Sequence, residues 1–215
     1  MAVSLSGGTS EHLHSQPERN LLMYSRHGSP IMANDPVRRT VFISYDRGDH
    51  DEIERFIDDF RSVFIPRASG VDDNDNFIDD ANADYVMNQI REKCLLDSTV
   101  TIVLLGKCTH SRRHVDWEIK SSLRQGASAP NGLIGIVLPS QGRGAFLPPP
   151  RFEDNWINNR DNCYARYYSY PTSQDELRKW IEDAHKARTA RANLIVDSRS
   201  MMKRNIQCRI CGVTH

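Results

Sequence analysis

The sequence predicts an α/β protein: a flavodoxin-like, doubly wound parallel sheet of about five strands in three layers, with flexible N- and C-terminal extensions. Three observations carry this expectation. Short runs rich in β-branched residues recur at 40–45, 99–106 and 132–139 and are apolar on both faces, the mark of doubly buried parallel strands. Stretches with apolar residues at helical spacing separate them. Strands and helices alternate along the chain instead of forming separate blocks.

Residues 1–36 are rich in Ser, Gly, His, Asn and Pro without sustained period, and read as a flexible extension with one short helical piece around "ERNLLMYS". The first strand is the core of "RRTVFISYD". A helix follows in "DHDEIERFIDDFRSVF", where Ile53, Phe56, Ile57, Phe60 and Phe64 share a face and Asp49 and Asp51 favour its start. A minimal second strand opens the loop "IPRASGVDDNDNFIDDANAD". The segment "ADYVMNQIREKCLLDS" is helical. "TVTIVLLG" is the strongest strand and is closed by Gly106. The next helix is "SRRHVDWEIKSSLRQG", with Val115, Ile119 and Leu123 on its buried stripe and Gly126 as a stop signal. "GLIGIVLP" is a buried strand followed by the loop "SQGRGAFLPPPRFEDNW". "ARYYSYP" is a weaker strand, and "SQDELRKWIEDAHKAR" is the last helix, with Ser173 and Glu176 spaced as a capping box. The domain expectation is therefore 1–36 extension, 37–190 folded domain, 191–215 basic tail.

Composition narrows the function classes. Twenty-eight basic residues balance 28 acidic ones among 215, so no overall charge draws the chain to nucleic acid or a membrane surface. Mean hydropathy is −0.57, wet for a chain that is all core. No apolar run reaches the ~20 residues of a membrane helix, and the N-terminus lacks the pattern of a secretory signal. Five cysteines, an odd number, read as reduced thiols, and the expected compartment is the cytoplasm.

In a 2-1-3-4-5 sheet the order reverses between the first and third strands, and ligands bind at the carboxyl ends beside that point. The loop "SYDRGDHD" and the connection "GKCTHSRRHVDWE" are thereby brought to one crevice, with Glu118 near its rim. By spacing alone Glu118 is an ordinary solvated helix carboxylate; its place in the sheet makes it a candidate for chemistry.

The strand "VFISYD", the block "STVTIVLLGKCTHSRRHVDWEIKSSL" and "YYSYP" before the last helix resemble TIR-like domains of the Thoeris ThsB type, over roughly residues 38–188. The resemblance implies an antiphage-defence enzyme that cleaves NAD at the nicotinamide–ribose bond. It would build an ADP-ribose-derived signal, often cyclic, that diffuses to a separate effector. It also implies Glu118 as the catalytic residue. Many TIR enzymes place a Trp four residues before that Glu; here His114 stands there, and Trp117 is adjacent to Glu118. Adjacent helix positions point about 100° apart, so Trp117 either contacts substrate or packs in the core. NAD would be a substrate, with no cofactor and no metal. Further expected partners are a phage-derived protein trigger and a second copy of the chain.

The chemistry suits one carboxylate. The leaving nicotinamide is cationic in the substrate, so no general acid is needed, and an anion beside the ribose stabilises the oxocarbenium-like transition state. Ser44, Tyr45, Asp46 and Arg47 would line the ribose and diphosphate, Arg47 as a phosphate contact, or merely close the strand. Arg112 and Arg113 would meet the diphosphate or cover the helix start. The rival class is a non-catalytic scaffold acting through assembly; a weaker third is a deoxyribosyltransferase on a similar sheet. The stretch 72–84 holds six Asp and three Asn, but set on an EF-hand loop from Asp72 the glycine position is Phe77 and the closing glutamate is Ala83. It reads as a solvated loop at the crevice mouth. Cys208, Cys211 and His215 offer three metal ligands with no second pair nearby in sequence. From Arg188 onward six basic residues face Asp197 alone, a solvated or partner-binding tail.

Overall fold

The computed structural model describes residues 23–24, 30–31 and 37–214, apart from 72–74, 79, 81, 127, 143–145 and 157–162. The chain forms two compact units, Met1–Val37 and Arg38–His215. In the first, Met23–Tyr24 pairs antiparallel with Pro30–Ile31. The helical piece expected around 18–25 therefore does not include Met23 and Tyr24; its other residues lie outside the described ones.

The second unit holds five strands: β1 (Arg39–Ser44), β2 (Phe64–Arg67), β3 (Val100–Leu105), β4 (Gly132–Val137) and β5 (Arg166–Tyr168). All neighbours run parallel in the order β2-β1-β3-β4-β5, the predicted reversal between β1 and β3 included. The helices are α1 (His50–Phe60), α2 (Ala83–Lys93), α3 (Arg113–Leu123), α4 (Pro150–Asn155) and α5 (Gln174–Ala190).

Alternation along each strand divides the core between the two faces. Val41, Ile43, Ile102, Leu104, Ile134 and Ile136 meet Phe56 of α1 and Leu177 and Ile181 of α5. On the other face Val103, Leu105 and Leu133 meet Val115, Ile119 and Leu123 of α3, while Phe42 meets Val86 and Ile90 of α2. Gly132 lets α5 lie unusually close: a Cβ there would sit 2.0 Å from the Ala184 carbonyl oxygen.

The ends of elements follow local chemistry. α1 stops at Phe60, earlier than its periodicity suggests, because Phe64 is claimed by β2. At α5 the expected capping box is half formed. Ser173 Oγ accepts from the Glu176 N–H at 3.2 Å, but the Glu176 carboxylate turns to the backbone N–H (2.8 Å) and hydroxyl (3.0 Å) of Thr172. α4 was expected as loop. Pro150 presets φ at its first position, and six residues are too few to show a period.

α4 carries Arg151, fully buried against Asp116 of α3. Its Nε donates to Asp116 Oδ1 at 2.9 Å, and Nη1 to Asp197 Oδ1 at 3.0 Å and the Arg199 carbonyl at 2.9 Å. The tail differs from the solvated extension that its charge suggests. Met202 N–H donates to Asp116 Oδ2 at 2.8 Å and Ile206 N–H to the Ser111 carbonyl at 3.0 Å, so its backbone runs along α3 while many side chains stay in water. No helix among the described residues is long and apolar enough to cross a membrane.

Removing one partner of a buried ion pair strands the other charge, at a cost of about 3–5 kcal/mol. Arg151→Ala is expected to lower unfolding free energy by that amount in urea denaturation; a change below ~1 kcal/mol would show that the pair carries no such burden.

Candidate functional site

β1 ends at Ser44 and β3 at Leu105, side by side where the strand order reverses. Thr109 turns the chain after β3, its hydroxyl accepting from Gly106 N–H at 2.9 Å and donating to the Leu104 carbonyl at 3.2 Å. α3 then starts at Arg113, whose N–H is capped by Asn205 Oδ1 of the tail at 2.8 Å. This path aims the second turn of α3 back across the end of β1.

Glu118 lies at the centre, only 2% exposed. Ser44 Oγ donates to its Oε2 at 2.6 Å, and the Val71 N–H, from the loop after β2, donates to Oε1 at 2.9 Å. Burial pushes the Glu118 carboxyl above the usual range; His114, Ser44, Val71 and Arg47 oppose that rise. His114, one helical turn before Glu118, places Nε2 3.1 Å from the Tyr45 carbonyl.

Ile43, Tyr45, Arg47, Gly70, Val71 and His114 close a cavity of about 40 Å³ around the carboxylate. That is room for a few waters and far below the several hundred Å³ of an ordinary ligand site. The cover is the segment at Gly70 and Val71. A Cβ on Gly70 would stand 2.3 Å from Glu118 Oε1, so a larger residue there would push the carboxylate out of this position. Arg47 holds the cover down by donating from Nη2 to the Val71 carbonyl at 3.0 Å.

The residues named from sequence separate into three groups. Ser44, Tyr45 and Arg47 gather around Glu118. Asp46 is buried at the same rim but turns aside: it accepts from Gly48 N–H at 3.2 Å and from Arg112 Nη2 at 2.9 Å. Arg112 is thereby committed to Asp46. Trp117 is 5% exposed and packs with Phe42, Met87 and Ile90; its Nε1 donates to the Met202 carbonyl at 2.8 Å, and Arg113 stacks over its ring at 5.0 Å. It does not line the Glu118 cavity but a separate one of about 630 Å³ between α2, α3 and residues 198–203. Within 72–84, Asp75 pairs with Lys93, and several of the other acidic residues lie outside the described ones, as does His215.

Sequence reasoning did not name His114, Gly70 or Val71 as part of the site. His114 was legible, since i and i−4 share a helix face. Gly70 and Val71 were not, because nothing local says that a loop folds over a glutamate 47 positions away.

The family described as "Thoeris protein ThsB, TIR-like domain" matches residues 42–143, from inside β1, through Glu118, to the turn after β4. Residues 42–143 form a TIR-like domain of the Thoeris ThsB family. A comparison with curated proteins returned no match. The matched span contains Ser44 and Val71, which hydrogen-bond the Glu118 carboxylate, and excludes α5 and the tail.

A second acid lies nearby. Asp49 Oδ2 is buried against Gly106 with no hydrogen-bond partner among the described residues, and burial, reinforced by Asp46, raises the carboxyl from 3.8 to about 6. Between those values the folded state holds a proton that the unfolded chain releases. Stability contributed by the protonated form is thus lost as pH rises through about 6. Asp49→Asn is expected to raise Tm by about 2–4 °C near pH 7, solvent screening discounted, and to change it little near pH 4. An equal effect at both pH values in scanning calorimetry would contradict the assignment.

Proposed function

We propose that the protein is an antiphage-defence enzyme that cleaves NAD at the nicotinamide–ribose bond and releases an ADP-ribose-derived signal, cyclic or linear, to a separate effector. The observation that carries this reading is Glu118: a desolvated carboxylate at the sheet's reversal point, gripped by the Ser44 hydroxyl and the Val71 amide. The TIR-like domain family agrees with a defence role.

In the proposed reaction the C1′–N bond breaks, its electron pair neutralises the nicotinamide ring, and positive charge develops on the ribose. The Glu118 anion, restored when the cover opens, faces that charge while the bound substrate excludes water from between them. Ser44 orients the carboxylate. Capture of the ribosyl cation by water, which loses a proton, gives ADP-ribose; capture by a ring nitrogen of the adenine gives a cyclic product. Arg47 sits where it would meet a phosphate once released from the Val71 carbonyl. Tyr45 is the remaining expected substrate contact, and Asp46 acts through Arg112.

The narrowness of the cavity supports reading this as a resting state. Burial favours the neutral acid, which cannot stabilise a cation, and no dinucleotide fits. Opening the cover after infection would hydrate Glu118, restore its charge and admit NAD, so a trigger protein would act on the cover. The same closure favours the alternative, a TIR scaffold that works by assembly without turnover.

Nicotinamide release in phage-infected extracts separates the two. Glu118→Gln is expected to lower it by at least about 10²-fold with the fold retained. Equal release by both proteins would remove Glu118 from the chemistry. Full defence with Glu118→Gln, but loss after surface changes in 72–84, would favour the scaffold.

A further inference from the structure

Cys108 and Cys211 are 103 positions apart in sequence, yet their Sγ atoms lie 3.4 Å from each other. With Cys208 they form a cluster in which all three sulfurs fall within 4.8 Å. Cys108 follows β3 in the turn leading to α3 and is half-buried, Cys208 is fully buried, and Cys211 is exposed.

The backbone around the pair is built as a tight turn. Cys208 N–H donates to the Val213 carbonyl at 2.9 Å, and Gly212 N–H to the Cys208 carbonyl at 2.8 Å. Gly212 takes the left-handed conformation, φ 77°, that closes the turn at no steric cost. The Cys211 N–H donates to Cys208 Sγ at 3.4 Å, which turns that sulfur towards the other two. Gln207 and Thr214 bridge the ends of the turn.

We propose that Cys108, Cys208 and Cys211 bind one Zn²⁺, in a structural site that clasps the chain end to the loop entering α3. Thiolates about 2.3 Å from a tetrahedral zinc stand about 3.8 Å apart, close to the spacing the fold already provides. The Cys-x-x-Cys spacing matches structural zinc sites, and soft sulfur donors select zinc over harder ions. A water or one further side chain completes four-coordination. Binding exchanges thiol protons, released to solvent, for the metal. A disulfide is the weaker reading, since it joins two sulfurs and leaves the third without a role in a turn shaped around it.

The clasp acts where it matters for the candidate site. Beside the cluster, Cys208 Sγ lies 3.4 Å from the Lys107 carbonyl, Arg209 N–H donates to His110 Nε2 at 3.2 Å, and Asn205 caps α3. Metal at the end of this track would keep the tail seated along the helix that presents Glu118, without touching the reaction.

The test is metal analysis of the full chain purified under reducing conditions from zinc-supplemented cells. About one zinc per chain is expected, falling at least fivefold in Cys208→Ser/Cys211→Ser and unchanged in Cys94→Ser. Cobalt titrated into the reduced, metal-stripped chain should give thiolate charge-transfer absorption. A wild type with no zinc and no such absorption would overturn the proposal, as would zinc retained in the double variant or a Cys108–Cys211 disulfide in the isolated protein. Should the variants misfold, alkylation of the wild type decides: Cys211 is expected to react at least tenfold faster after chelator, and an unchanged rate would overturn the site.

Discussion

Glu118, on the helix that follows β3, is held by two hydrogen bonds that come from across the sheet's reversal point. Ser44 reaches it from the end of β1, and the Val71 amide from the loop after β2. Neither would be in place without the order β2-β1-β3, which sets these strand ends beside the start of α3. A carboxylate with so little water would be costly as an anion. The pair of donors offsets part of that cost, and burial still favours the neutral acid. One interaction thus links the fold, the pKa shift, the cover at Gly70 and the proposed dormant state.

The helix bearing Glu118 is itself held from outside the matched family span. Asp116 faces away from the cavity into Arg151 of α4 and the Met202 amide of the tail, while Trp117 gives its indole N–H to the Met202 carbonyl. Three successive residues of α3 therefore have three duties: structural charge, tail anchor, candidate acid. A change in the tail can reach the site through this helix without meeting substrate, and the cysteine cluster lies at the tail's far end.

Much of this was legible in the sequence. Strand alternation and helical spacing are local properties, and they gave the five-strand order and the place of Glu118. The nearness of Ser44 and Arg47 to Glu118 followed, because strand ends beside a reversal point share one crevice. What escaped depends on contacts between segments distant in the chain. Arg151 and Asp116 are 35 positions apart, and each looks like a surface charge until both are buried. The "PPPRFEDN" stretch reads as loop because its prolines mask a six-residue helix. Trp117 beside Glu118 invited a role in binding, and only the packing of α2 and the tail shows which side of α3 it serves. The basic tail reads as solvated from its charge, whereas its backbone hydrogen bonds set its path along α3.

The central claim is that the Glu118 carboxylate itself latches the cover. Amide hydrogen exchange at Val71 tests it most directly, comparing wild type with Glu118→Ala and using β3 amides as the internal reference. The account predicts strong protection at Val71 in the wild type and at least tenfold faster exchange in the variant, with β3 unchanged. Equal protection of Val71 in both proteins would mean that the cover is held by other contacts, and that Glu118 does not link closure to chemistry.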